Sequence, residues 1–190
     1  GKNLLAGTGN DLSVIFNEDS TNKLKVTAVD YTDSSNIGLD TTIYSGSGTT
    51  FGTDTPETTD AGSADDDYLE FAVTTSSGST TYKITLADSD TIKDVIDKVN
   101  SSTNGDIQAS YDEASGQVTY ASSNSFTVAH KDSGDTAVSG SKLTVTAASA
   151  TVTLATDAQI NAVLKALSGA QNQLRAQSST FGTNLSTVQI

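Results

Sequence analysis

Residues 178–190, SSTFGTNLSTVQI, continue a helical pattern that begins near Thr156. Apolar or small side chains recur along it at alternating steps of four and three residues, with Gln171 and Ser178 at two of the steps. This is the spacing of a helix packed lengthwise along other helices. A helix of about nine turns needs a partner of similar length, and no other segment of the chain has a comparable pattern. The apolar side chains of this pattern, called the leucine face below, are Ile160, Leu164, Leu167, Leu174, Phe181, Leu185 and Val188.

The start of this helix is marked by Thr156 and Gln159, which have the spacing of a capping box. Asp157 adds a negative charge at the positive end of the helix dipole. Gly169 and Gly182 lie inside the pattern, and each costs about 1 kcal/mol relative to alanine in a helix. Because they are unfavourable in an isolated helix, we expect close packing against neighbours at these positions.

The segments before the helix show strand patterns. Alternating apolar residues at 12–16 and 24–28 predict a hairpin with a polar turn at 17–22. Residues 41–67 are rich in Thr, Ser, Gly and Asp, contain the only proline, and are predicted to be a loop or linker.

The middle of the chain, from residue 69 to 120, alternates in the order strand, strand, helix, strand, strand. Ser89 or Asp90 is expected to cap the helix. Residues 126–130 and 143–145 indicate two further strands. We therefore predict an α+β fold with a hairpin, a long C-terminal helix and this inserted module. The helix within the module is indicated by apolar residues at i, i+3, i+4 and i+7, namely Ile92, Val95, Ile96 and Val99.

Composition excludes several classes of partner. The formal net charge of −13 argues against nucleic acid, whose phosphates need basic partners, and disfavours anionic membrane surfaces. No apolar run reaches the roughly 18 residues of a membrane span. The chain has no Met, so we expect a fragment or a processed product. The absence of Cys and Trp, with abundant Ser and Thr, resembles secreted bacterial surface proteins.

Candidate catalytic and metal-binding residues are few. His130 is the only histidine. A catalytic triad would need it beside a serine and a carboxylate, and we interpret it as an ordinary strand-end residue. Asp65, Asp66 and Asp67 are weak candidates for calcium, but the EF-hand spacing and its bidentate Glu are missing, so a solvated loop is favoured. We predict no active site, no cofactor and no enzymatic activity.

Both ends of the chain resemble bacterial flagellin. Residues 1–7, GKNLLAG, resemble the segment where that chain leaves its first long helices. Residues 11–40, from DLSV to SSNIGLD, resemble the hairpin and the turn that follow. Residues 176–186, AQSSTFGTNLS, resemble the helix that returns after the variable insert. The middle, at 71–120, resembles the repeat known as the flagellin hook IN motif.

This resemblance implies a domain organisation and a function. Residues 1–44 and 150–190 would form part of the rod-like flagellin core domain, and residues 45–149 a surface-exposed variable insert. The chain would be cut from a longer flagellin, a secreted structural subunit of the extracellular flagellar filament that serves motility. The leucine face would pack against the missing N-terminal helices of the same protein and against other flagellin subunits. Because the terminal helices that line the filament core in the family are absent, the chain as it stands is not expected to self-assemble.

The sequence leaves three alternatives open. The first is a cell-surface flagellin-like protein that binds a ligand such as polysaccharide. The second is a hook-associated or cap protein, since these share the insert motif, although the match at residues 176–186 favours flagellin. In the third, the long helix packs on the chain's own core and needs no partner.

Overall fold

The computed structural model describes residues 1–37, 39, 42–51, 56, 61, 63–75, 77–151 and 154–188. The chain divides into two compact units. The first unit combines Gly1–Asp40 with Ala166–Ile190, and the second is Thr41–Lys165. The boundaries predicted from the sequence, at 44/45 and 149/150, differ from this division. The second unit of the structure extends to Lys165 and so contains the start of the long helix.

The first unit contains the predicted hairpin. Strands β1 (Leu12–Ile15) and β2 (Lys23–Val26) pair antiparallel, with Leu12 opposite Val26. The backbone N–H of Phe16 donates to Asn22 O at 2.9 Å and closes the polar turn. A short 3₁₀ helix follows at Ser34–Ile37. Gly38 and Asp40 of the flagellin-like segment lie outside the described residues.

The second unit contains two antiparallel sheets and a helix, α1 (Ile92–Ser102). One sheet has the order β6 (Gln108–Asp112), β7 (Gln117–Ser122), β3 (Ile43–Ser47), β9 (Ser149–Thr151). The other has the order β5 (Gly78–Thr85), β4 (Tyr68–Thr75), β8 (Ser125–Lys131). The last element of the chain is the long helix α2 (Asp157–Val188). The predicted α+β class is confirmed, including the strand-strand-helix-strand-strand order.

Apolar alternation explains why these strands and α1 meet. The side chains of Leu69, Phe71 and Val73 point to one face of β4, and all three are fully buried. They pack in one core with the buried side of α1. In the same core the rings of Phe71 and Tyr120 meet edge to face, with their centroids 5.3 Å apart. This contact joins residues from the two sheets.

The predicted cap of α1 is wrong by one or two residues. Thr91 is the N-cap: its Oγ1 accepts from the N–H of Asp94 at 3.2 Å, and the Asp94 carboxylate accepts from the N–H of Thr91 at 3.0 Å. Asp90 instead accepts from the N–H of Ala87 and pairs with Lys98 Nζ at 2.5 Å. Thr91 also fits the sequence rule, since Asp94 stands three residues later.

The prediction of a loop over 41–67 is wrong at its start, where β3 forms an inner strand of its sheet. The glycines that suggested a linker are required by packing. A Cβ on Gly46 would lie 2.4 Å from Cγ1 of Val145, and a Cβ on Gly48 would lie 1.8 Å from the carbonyl oxygen of Lys142. The segment at 142–145 thus crosses so close to this strand that side chains are excluded.

The last predicted strand is only partly present. Val145 exchanges two backbone hydrogen bonds with Val128, of 2.8 and 3.0 Å, as an isolated bridge beside β8. Leu143 is fully buried without belonging to a strand. The strand β9, which follows at Ser149–Thr151, was not predicted. Its three residues are too few to show an alternation.

Candidate functional site

The helix α2 begins where the capping box predicted. Thr156 Oγ1 accepts from the N–H of Gln159 at 3.4 Å, and Gln159 Oε1 accepts from the N–H groups of Thr156 and Ala155 at 3.1 and 2.7 Å. The N–H of Ala158 donates to Ser110 Oγ at 3.1 Å. These bonds satisfy backbone donors that the first turn of a helix leaves open. The helix then runs for 32 residues.

The chain's own packing covers an alanine ridge of this helix. In the second unit Ala158 and Ala162 are buried against Ile43 and Ala121. In the first unit Ala170 is buried as well. Together with the half-buried Ala166, these alanines follow steps of four residues, which trace a ridge along a helix surface. Small side chains allow the backbone to approach its neighbours closely.

The leucine face lies on a different side of α2, on average about a third of a turn from the alanine ridge at 100° per residue. Leu164 and Leu185 are 54% and 57% exposed, and Phe181 is half-buried. Because the described residues cover the alanine ridge instead, packing of this face on the chain's own core is not observed. Its packing against a partner stays a prediction. The remaining exposed members of the face are Ile160, Leu167, Leu174 and Val188.

Burying the exposed apolar side chains of the leucine face against a partner would contribute favourable free energy. Complete burial of a fully exposed leucine contributes about 1.5–3 kcal/mol, so burying the exposed half of four leucines would contribute on the order of 3–6 kcal/mol against a matching surface. Contiguous exposed apolar surface of this kind marks an interaction site. Gly169 and Gly182 are also open: among the described residues, no atom lies within 4 Å of a Cβ built at either position. The close packing expected at these glycines therefore remains untested.

A groove of about 440 Å³ lies in the first unit beside α2. Gln173 Nε2 donates across it to Asn36 O at 3.0 Å. Both polar and apolar side chains line the groove, and Asp30 contributes a carboxylate. Its lining consists of Val29, Asp30, Tyr31, Asn36, Gln173, Ala176, Gln177 and Thr180.

The acidic run at 65–67 forms a turn. Asp65 Oδ1 accepts from the N–H of Asp88 at 3.0 Å, and Asp67 Oδ2 accepts from the N–H of Ala64 at 3.1 Å. Asp66 is exposed and has a positive φ of 68°. Within the described part of the chain, no group of three or more His, Cys, Asp or Glu side chains is arranged to hold a metal ion. Backbone donors thus engage two of the three weak calcium candidates.

His130 lies near the end of a strand, as predicted, since it is the next-to-last residue of β8. The residue is 1% exposed. Its Nδ1 lies 2.7 Å from Ser141 Oγ, and its Nε2 lies 3.4 Å from Asp67 Oδ2. A serine and a carboxylate, the two residue types that a catalytic triad would need, therefore both lie beside His130. They come from segments before β4 and after β8, so no local spacing could indicate them.

Burial lowers the pKa of His130 below its ordinary 6.5, and the nearby Asp67 carboxylate opposes part of that effect. The folded state therefore favours the neutral ring. Because the unfolded chain binds the proton more tightly, this stabilisation is complete above about pH 6.5 and is lost as the pH falls below it.

We expect the free energy of unfolding to decrease between pH 7 and pH 5, and the decrease to be smaller in His130→Gln. Urea unfolding at several pH values measures both. Carboxyl groups with a lowered pKa, such as Asp94 and Asp112, titrate below 3.8 and act at lower pH. Equal pH slopes in the two proteins would contradict this assignment.

The chain matches no protein-family model and no curated protein sequence. In the part of the chain that the structure describes, neither helix combines the length and the apolar character needed to cross a membrane.

Proposed function

We propose that this chain is the outer part of a flagellin-like subunit, a structural component of a secreted, extracellular bacterial filament that serves motility. The leucine face of α2 carries this proposal. A 32-residue helix with exposed leucines along one side is suited to lengthwise packing against other helices. The resemblance of residues 1–7, 11–40 and 176–186 to flagellin names the partners: N-terminal helices of the full-length subunit and neighbouring subunits.

The surface charge is compatible with this role. The formal net charge of −13 keeps a protein that is displayed in many copies soluble. The second unit has its own core of two sheets and α1, which suits an outward-facing insert between the two ends of a rod. In this proposal the subunit needs no cofactor and no catalytic site to perform its structural function.

The test introduces charge on the leucine face of the full-length protein. We expect the double variant Leu167→Glu, Leu174→Glu to lose filaments and motility, because each carboxylate would have to be buried without a partner. The matched control is Asn172→Glu with Ser179→Glu, which adds the same charge at exposed positions on another side of α2. Electron microscopy and swimming assays give the readouts.

Two measurements separate assembly from folding. Secreted subunit is quantified in the medium, and the same substitutions are made in the chain studied alone. There, the unfolding free energy should change by less than about 0.5 kcal/mol, because all four positions are exposed. Filaments of normal length from the Leu167 and Leu174 variant would contradict the proposal.

A further inference from the structure

We propose that Ser141 is an activated nucleophile that accepts a short acyl group from an activated carboxylic ester, with His130 as its base. This site lies in the second unit and does not depend on the proposed filament function.

Ser141 Oγ is hydrogen-bonded both to His130 and to the backbone of Leu143. The N–H of Leu143 donates to Ser141 Oγ at 3.2 Å, so the oxygen accepts there. The oxygen also lies 2.7 Å from His130 Nδ1, and the tautomer of the ring decides which of these two atoms donates. We assign the proton of the neutral imidazole to Nε2, because this atom lies 3.4 Å from Asp67 Oδ2, although no hydrogen bond joins the two atoms. Nδ1 then accepts from Ser141, and a serine bonded to a histidine that has a carboxylate beside it is the grouping that activates a hydroxyl for acyl transfer.

The histidine and the carboxylate of this arrangement are both buried. His130 and Asp67 are 1% and 7% exposed. Ser141 is half-buried and lines a cavity, while the two other groups are shielded from water. Their mutual orientation is fixed by β8 on one side and by the turn at 64–67 on the other. A shielded carboxylate stabilises an imidazolium more strongly than an exposed one.

A cavity of about 140 Å³ lies directly at Ser141. At about 30 Å³ for each water molecule, it has room for an acetyl or propionyl group. Phe51 and Val138 supply apolar lining. Lys142 lines the same cavity, and its Nζ lies 5.1 Å from the ring centroid of Phe51. It adds a positive charge to the lining of this cavity.

The transfer balances without any further reagent. Ser141 Oγ forms a bond to the ester carbonyl carbon, and its proton moves to His130 Nδ1. The tetrahedral intermediate then expels the alcohol oxygen, which takes that proton from His130. The products are acyl-Ser141 and a free alcohol. Asp67 acts as a positioning residue, because its charge stabilises the protonated ring during transfer.

The test uses p-nitrophenyl acetate on the whole chain, followed by intact mass measurement and peptide mapping. We expect one acetyl group on Ser141, none in Ser141→Ala, and unchanged labelling in Ser133→Ala, an exposed serine of the same unit that is not among the described residues lining the cavity. His130→Gln should slow acylation about 100-fold, since a positioned base contributes at least that much. Asp67→Asn should slow it to a smaller extent.

The pH profile of the unaltered chain gives a readout that needs no variant. Acylation assisted by His130 should rise with the neutral fraction of the ring and reach a plateau near neutral pH. A rate that keeps rising to pH 9, or acetyl found on lysines but not on Ser141, would overturn the proposal. So would a folded His130→Gln variant that labels Ser141 at the original rate.

Discussion

Replacing Gly48 with alanine should reduce the unfolding free energy of the second unit by about 3 kcal/mol or more. The new Cβ would lie 1.8 Å from the carbonyl oxygen of Lys142 and 2.9 Å from its carbonyl carbon. Both are backbone atoms, so no side-chain rotation can relieve the overlap. Gly48 is also held from both sides: its N–H donates to Val118 O at 3.0 Å, and the N–H of Thr49 donates to Lys142 O at 3.1 Å.

Urea unfolding followed by circular dichroism measures this loss. Gly134→Ala is the matched control, because it is the same substitution in the same unit and its Cβ would meet only side-chain atoms, the nearest being an oxygen of Asp132 at 3.3 Å. The control should change stability by less than about 0.5 kcal/mol. Comparable midpoints for the Gly48 and Gly134 variants would show that segment 142–145 does not pack on β3.

Tyr120→Ala should reduce the unfolding free energy by about 3–5 kcal/mol, the usual cost of deleting a buried aromatic ring. Tyr120 is fully buried and packs edge to face on Phe71. Its hydroxyl oxygen finds no hydrogen-bond partner among the described residues. Burial alone raises its pKa, so the hydroxyl stays protonated.

The matched variant is Tyr120→Phe, which keeps the ring and removes the unpaired hydroxyl. It should raise the unfolding free energy by about 1 kcal/mol, because an unsatisfied buried polar group is costly. Opposite signs for the alanine and phenylalanine variants in the same unfolding assay are the expected result. A loss of stability in Tyr120→Phe would mean that the hydroxyl has a partner, such as a buried water.

Periodic segments of the fold were predictable from sequence. The alternation at Leu69, Phe71 and Val73 identified β4, and the capping box at Thr156 identified the start of α2, because both signals are local. The strand β3 was missed because Gly46 and Gly48 resemble linker residues. They are explained only by the close approach of segment 142–145, which is a tertiary contact.

Of the candidate sites, one could be predicted from local sequence spacing and one depends on tertiary contacts. The leucine face follows from helical spacing alone, and its exposure is then a matter of which side the rest of the chain covers. The grouping of His130 with Asp67 and Ser141 depends on how β4, β8 and the 138–143 segment fold together. No sequence spacing encodes it, so a single histidine gave no indication of its partners.

The most direct test of the central claim is thiol protection in assembled filaments. The chain contains no cysteine, so Leu174→Cys and Asn172→Cys each introduce one thiol, on the leucine face and on an exposed side of α2. In the isolated chain both should react with a maleimide at similar rates. In filaments of the flagellin-like subunit that we propose, Leu174→Cys should react roughly 100-fold more slowly, equivalent to about 2.7 kcal/mol, while Asn172→Cys keeps most of its rate. Equal, rapid labelling of the Leu174→Cys variant in filaments and in the isolated chain would contradict the claim that the leucine face packs against partner helices.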